Sequence, residues 1–238
     1  MSIIYIDPFQ FAAAGPTDPY FANVSLLLHG DGANGSTTII DSSSAARAAT
    51  IIGDTQISAA QSKFGGSSIA FDGTGDALTF PDSDDFYLPG DFTIETFLYA
   101  NSWVSTVYFF GQYQTADFAP VMGYFSNGNP GILASSNNSS AFLLVTSSGT
   151  PLATGAWHHV AWVRSGNRWS IYVNGTERLI AASNSGTPYN STGAFRIGNL
   201  ITTNNFPFNG YIDDLRITKG VARYTANFTP PTAPFPDA

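Results

Sequence analysis

Residues 156–176, AWHHVAWVRSGNRWSIYVNGT, carry the clearest alternation of apolar and polar positions in the chain. Trp169, Ile171 and Val173 alternate with Arg168, Ser170, Tyr172 and Asn174, the two-residue period of a strand with one face in a core. In the preceding stretch Trp157, His159, Ala161 and Val163 point one way, and His158, Val160, Trp162 and Arg164 the other. Both faces are largely apolar, which predicts a central strand covered twice, with Trp157 as its anchor between two sheets. Ser165-Gly166-Asn167 predicts a three-residue loop and Asn174-Gly175 a tight hairpin, because Gly and Asn tolerate positive φ. Two successive turns predict a meander.

The same period recurs along the chain. VSLLLHG from Val24 reads as a short strand, and Ile69 and Phe71 before Asp72-Gly73 predict a second hairpin. In FTIETFLY, Phe92, Ile94, Thr96 and Leu98 share one face and Thr93, Glu95, Phe97 and Tyr99 the other, again a well-covered strand. Further strands are predicted at 107–110, 121–125, 141–145, 195–199 and 210–220. Ile212 and Leu215 have opposite parity while Leu215 and Ile217 match, which predicts a bulge at Asp213-Asp214 that re-aims one carboxylate. No helical period of useful length occurs. Short strands without helices between them predict an all-β fold, a two-sheet antiparallel sandwich.

Pro8, Pro16 and Pro19 predict that residues 1–23 form an extended arm outside the core. Residues 24–238 are then a single domain that ends in the extended, proline-rich tail ANFTPPTAPFPDA. Hydrophobic residues at 43% and aromatics at 14% supply a large core, which excludes disorder for the bulk of the chain. Seventeen acidic against nine basic residues give a net charge of −8. With no basic stripe, a nucleic-acid partner is not expected. There is no cysteine, hence no disulfide and no thiolate metal site. No run approaches the ~18 apolar residues that span a membrane, so membrane insertion is not expected. MSIIYIDPFQ lacks a basic residue before its apolar run and is broken by Asp7-Pro8, so no signal peptide is expected.

Three ordered motifs, FGGSSIAFDGTGDALTFPDSDDFYLPGDFTIETFLY, WHHVAWVRSGNRWSIYVNG and GYIDDLRITKGVARYTANFTPP, resemble the laminin-G-like, concanavalin A-like jelly-roll family. The resemblance runs over residues 24–236 and implies a jelly-roll sandwich. The opening SLLLHGDGANGSTTIIDSS and the ending VARYTANFTPPTAPFP are similar to the form of this domain in phage virion proteins such as tail fibres, spikes and particle decorations. That implies a structural, adhesive component of a virion, assembled in the host cytoplasm and working as a homo-oligomer or part of a larger assembly. It would contact other virion proteins through its arm and cell-surface glycans through the sandwich. A docking or decoration protein without a ligand, and a polysaccharide hydrolase, are the other readings. The chain departs from its relatives at Asn174, where many have Asp, and at His29-Gly30-Asp31-Gly32, which replaces a bulkier apolar-acid pair.

Catalysis is not expected. Glycosidases need two carboxylates across the scissile bond, and related glucanases carry a Glu-rich strand motif that is missing here. Glu95 has Thr93 and Phe97 as its same-face neighbours, and Glu177 follows a turn. His158 and His159 face opposite ways on one strand and cannot share a ligand from one side. One is expected to bond inside the core and the other to pad the opposite face. Asp31, Asn34, Asp213 and Asp214 are oxygen donors in or beside loops. In the family the first and last strands are neighbours, so Asp31 and Asp213 are candidate calcium ligands, with turn capping as the alternative. Asp82, Asp84 and Asp85 read as a solvated loop. Sugars dock on aromatic rings and amides, which singles out Trp103, Tyr113, Tyr124, Asn127 and Asn129 as ligand-binding candidates; Phe206 and Phe208 read equally as ligand contacts or as core.

Overall fold

The computed structural model describes residues 17–104, 106–112, 119–181, 184–200 and 207–238. Among these the alternating pattern produces fifteen strands: β1 Val24–Leu28, β2 Thr50–Ile52, β3 Gln56–Ser58, β4 Ser68–Asp72, β5 Ala77–Phe80, β6 Phe92–Ser102, β7 Thr106–Gln112, β8 Val121–Ser126, β9 Asn129–Ser135, β10 Ala141–Thr146, β11 Trp157–Ser165, β12 Arg168–Val173, β13 Thr176–Ala181, β14 Phe195–Ile197 and β15 Asn209–Lys219. They form two antiparallel sheets. The larger has the order β13-β12-β11-β6-β15-β4-β3, with β1 also paired to β15, and the smaller has the order β10-β9-β8-β7-β14-β5-β2. The expected all-β jelly-roll sandwich is therefore present.

Between the sheets lies one continuous core in which Phe92, Phe109, Phe110, Phe125, Trp162, Trp169 and Phe208 are fully buried. Buried indole N–H groups need partners. Trp162 Nε1 donates to the Gly131 carbonyl at 2.9 Å and Trp169 Nε1 to that of Asn184 at 3.2 Å. The inward tryptophan of β11 is thus Trp162, not Trp157. Trp157 lies on the outer face, only partly buried. Because both faces of β11 are apolar, alternation alone could not say which one the second sheet covers.

The meander β11-β12-β13 forms, with its first turn tighter than the sequence suggests and its second as expected. Ser165 pairs with Arg168, leaving a two-residue loop with Gly166 at φ +59°. Val173 pairs with Thr176 around Asn174 and Gly175, at φ +48° and +76°, the two positive angles of a type I′ hairpin. The turn at Asp72-Gly73 differs from expectation: β4 belongs to the larger sheet and β5 to the smaller, so it is a crossover and not a hairpin. Strand β9 has no counterpart in the sequence reading.

The bulge on β15 is where the sequence places it. On one side β15 runs along β6; on the other it pairs with β4 over Asn209–Ile212 and with β1 over Leu215–Thr218. Asp213 and Asp214 fall between the two partners, with register shifted against β6 and Asp214 at φ +49°.

The outer face of the larger sheet has two halves. Over one, the chain beyond β15 folds back as an extended strap. Tyr224 and Phe228 stack at 3.5 Å, packed against Ala161, Val163 and Tyr172, while Phe235 packs on Phe97 and Leu27. Phe228 N–H donates to the Gly175 carbonyl at 2.9 Å. A Cβ at Gly175 would collide with the Phe228 carbonyl. The stretch 17–23, part of the arm in the sequence reading, is tied to this half too: Asp18 N–H donates to the Ala238 carbonyl at 2.8 Å, and its carboxylate is buried. Residues 1–16 lie outside the described residues.

Candidate functional site

The other half of that face is not covered by the strap. Odd-numbered positions of β6 and β11 face outward here, and strand register lines them up. Trp157 stands opposite Tyr99, Tyr99 opposite Tyr211, Tyr211 opposite Ala70 and Ala70 opposite Gln56. Five strands thus contribute one cross-strand row, about 19 Å long at ~4.8 Å per strand. Tyr99 lies 5.7 Å from Trp157 and 5.9 Å from Tyr211, ring centre to ring centre, with the planes inclined at 58° and 74°. The Tyr99–Tyr211 pair is edge-to-face, a favoured geometry for neighbouring aromatics, and the Tyr99–Trp157 pair is tilted. All three are partly exposed.

Beside Tyr211 the row opens into a shallow groove of about 420 Å³, bordered by Asn101, Asn209, Gln56, Asp54, Asp72 and Asp76. Asn101 Nδ2 donates to Asn209 Oδ1 at 2.9 Å, which leaves the outward ends of both amides free to bond further. Asp76 is buried, accepting from the Asp54 N–H on Oδ1 and from the Asp72 N–H on Oδ2, both at 2.7 Å. Burial, followed by the charges of Asp72 and Asp54, raises its carboxyl above the usual range despite those two bonds. Asp72 and Asp54 are exposed. Rings beside amides and carboxylates are the combination that holds sugar C–H faces and hydroxyls. No single stretch announces this site: its members come from separate strands and meet only through the order β11-β6-β15-β4-β3.

The ligand-binding candidates from the sequence do not assemble as a group. Trp103 closes one end of the core, 4.8 Å from Phe125 and 6.1 Å from Phe208, with its indole N–H bonded to the Leu152 carbonyl at 2.8 Å. Asn127 and Gly128 form the β8-β9 turn at φ +47° and +79°, another Asn-Gly hairpin, with Asn129 just after it. Trp103 lies over this turn, so these three are brought together. Tyr124 is on the opposite face of the smaller sheet, its hydroxyl 2.7 Å from Thr146 Oγ1. Tyr113 lies outside the described residues, as does Phe206, while Phe208 is core.

Of the histidines, His159 bonds inside the protein and His158 lies at the rim, its Nε2 3.1 Å from the Ala153 carbonyl. Glu95 is fully buried: Arg216 donates to its Oε1 at 2.7 Å, and the His159 Nε2–H and Tyr224 hydroxyl donate to its Oε2 at 3.1 and 2.7 Å. Burial alone would raise this carboxyl, but Arg216 and His159 outweigh it and hold it at about 2. Asp18 and Arg223 complete the cluster, with two carboxylates against two guanidinium groups. Glu177 pairs with Arg168 at 2.6 Å. Both glutamates are thus held in ion pairs away from the groove, and neither can act as a proton donor or nucleophile there.

Asp31 and Asp213 approach the same loop. Asp213 Oδ2 accepts from the Lys63 and Phe64 N–H groups at 2.7 and 3.0 Å, and the Asp31 carboxylate lies against the adjoining Gly65, where a Cβ would collide with it. Asp213 Oδ1 is buried without a partner. Burial first, then the charges of Asp214 and Asp31, push the Asp213 carboxyl up to about 7. Asp214 bonds His29 Nδ1 at 2.5 Å and the Phe235 N–H at 2.8 Å, and Asn34 accepts from the Ala59 N–H at 2.9 Å. Among the described residues no three carboxylate or imidazole groups converge on one point, so any cation here would rest on Asp31, Asp213 Oδ1 and backbone oxygens.

Residues 72–223 match the laminin-G-type family model described as the concanavalin A-like lectin/glucanases superfamily. Among solved structures, the chain is similar to domain 4 of a GH43 extracellular arabinanase from Geobacillus stearothermophilus, solved in complex with arabinotriose. Identity is 18%, coverage 84% of this chain and 94% of that one, and the TM-score 0.63. It is also similar to the binding domain of Paraclostridial Mosquitocidal Protein 1, with 14% identity, coverage of 84% and 49%, and a TM-score of 0.65. A third match is botulinum neurotoxin type C, whose cell entry depends on two ganglioside molecules, at 15% identity, coverage of 84% and 48%, and a TM-score of 0.62. The chain spans about half the length of these two toxin chains. Among curated proteins none matches significantly.

Proposed function

The chain belongs to the concanavalin A-like lectin/glucanases superfamily, and on that premise we propose that it is a non-catalytic saccharide-binding module whose contact surface is the outer row Trp157-Tyr99-Tyr211. The observation that carries this reading is that three aromatic rings in cross-strand register are left partly exposed, beside amides and carboxylates, where the strap ends. The arabinotriose complex of one structural neighbour supports a saccharide as the ligand. Hydrolysis by the glutamates is disfavoured because Glu95 and Glu177 are both held in ion pairs, and at the groove both oxygens of Asp76 are occupied by backbone N–H groups. A glycan array probed with the full chain and with Tyr99→Ala and Tyr211→Ala tests it. Binding that both variants lose while keeping the wild-type melting temperature supports the reading; wild-type binding unchanged in both removes it.

The context we propose is a phage particle, with the module serving adhesion. Its support is the likeness of SLLLHGDGANGSTTIIDSS and VARYTANFTPPTAPFP to virion proteins. Mass spectrometry of purified particles would detect the chain, and its absence from them would remove the virion role without touching the saccharide reading.

A further inference from the structure

Among the described residues, the groove beside Tyr211 is bordered by Asp54, Asp72 and Asp76 and by no Lys, Arg or His. No ion pair among the described residues includes any of the three. Asp76 cannot swing away to find one, because both of its oxygens are fixed by the Asp54 and Asp72 amides. Asp72 is oriented as well, accepting from the Thr74 N–H at 2.6 Å. Its carboxylate and that of Asp54 are exposed at the mouth of the groove. The chain's net charge of −8 adds to the same field at long range.

We propose that the site is charge-selective: it takes uncharged saccharide chains and rejects those bearing a carboxylate or sulfate. The inference deepens the saccharide-binding reading and rests on it. The physical step is short. Sugar hydroxyls can donate to Asp54 and Asp72, so a neutral chain gains bonds that an exposed carboxylate makes well. An anionic substituent brought to the same place meets like charge with no cation to receive it, and such a clash is how a binding site discriminates against a competitor. One like-charge pair at contact distance in water weakens binding about 5-fold, and two about 25-fold.

The test is an array of neutral oligosaccharides, each matched with its sialylated, uronylated or sulfated counterpart, probed with the full chain at about 20 mM and about 500 mM salt. The expected result is binding of neutral members at least 10-fold tighter than their acidic partners at low salt, with the gap closing at high salt. In Asp54→Asn/Asp72→Asn the low-salt gap should close as well, through a gain for acidic members. Equal or tighter binding of acidic members by the wild type at low salt overturns the selectivity while leaving saccharide binding standing. A gap that persists unchanged in the double variant overturns it too. Binding of no member at all overturns the saccharide reading itself, and the selectivity with it.

Discussion

The Tyr224 hydroxyl donates to Glu95 Oε2 at 2.7 Å, which latches the chain's last segment onto a central strand of the larger sheet. The same carboxylate receives Arg216 and His159, and Arg216 reaches on to Asp18 at 3.0 Å. One buried glutamate therefore connects the strap, the bulged strand and the stretch before β1. Burial, then the neighbouring Glu95 charge, raises the Tyr224 phenol, so it remains a donor at all ordinary pH. Tyr224→Phe is expected to lower stability by about 1.5–3 kcal/mol, the loss of one hydrogen bond to a charged group. Glu95→Gln should cost about 3–5 kcal/mol, because it leaves Arg216 and Arg223 with Asp18 alone. Urea midpoints measure both, and equal losses for the two variants would contradict the central place given to Glu95.

Two carboxyls give opposite pH dependence. Glu95 sits at about 2 in the fold, below its ordinary value, so it binds fewer protons folded than unfolded. Its contribution is present above about pH 4.5 and is lost as pH falls toward 2. Asp213 sits at about 7, far above its ordinary value, so the folded chain holds the extra proton. Stability from this group is complete below about pH 4 and declines as pH rises through 7. Asp213→Asn should flatten the decline between pH 5 and 8 and leave the acid limb unchanged. Melting curves across pH 3–9 that superimpose in slope for wild type and variant would refute the assignment.

The sandwich, the meander and the β15 bulge were legible in the sequence because each rests on local signals: period-two alternation, Asn-Gly turns, and the parity break between Ile212 and Leu215. The site was not. Tyr99 and Trp157 each looked like one more apolar position on a doubly covered strand. Only the pairing of β6 with β11 and β15, together with the strap's choice of which half to cover, makes a row of them. Asn127 has a local role that was equally legible: Asn127-Gly128 is a hairpin signal, and the structure uses it as the β8-β9 turn.

The two tryptophans of β11 separate core from surface. Trp162→Ala removes a fully buried ring in contact with Phe109, Phe110 and Phe125 and should cost about 3–5 kcal/mol. Trp157→Ala should cost less than half of that, since its ring is partly exposed and rests on Tyr99. The order of the two urea midpoints is the check, and Trp157→Ala proving the more damaging would contradict the face assignment.

The calcium proposal turns on the unpartnered Asp213 Oδ1 and on Asp31 beside it. A cation bound there would favour the ionised carboxyl, so its stabilisation should be larger at pH 8 than at pH 5. Adding about 100 Kd of calcium to chelator-treated protein at pH 8 should stabilise by about 2.7 kcal/mol. Asp31→Asn and Asp213→Asn should abolish the response. Identical melting temperatures with calcium and with chelator at pH 8 would remove the proposal and leave Asp31 and Asp213 as turn-capping groups.

Ile3, Ile4, Tyr5, Ile6, Phe9 and Phe11 precede Asp18, which belongs to the sandwich through Arg216, Arg223 and the Ala238 carbonyl. A truncation that removed Asp18 would open the buried ion cluster and confuse folding with assembly, so the informative deletion is residues 2–16. The smaller sheet ends in β10 and β2, beyond which no further strand pairs among the described residues. Leu144 on β10 is 61% exposed. An extended apolar segment can add to such an edge on a second molecule, gaining affinity from backbone hydrogen bonds. We therefore expect the 2–16 deletion to keep its melting temperature within about 2 °C, because nothing in the ion cluster is lost. It should fail to oligomerise or to enter the particle, as measured by light scattering and by co-purification. If the deleted chain assembles as the full chain does, the segment is not the docking element.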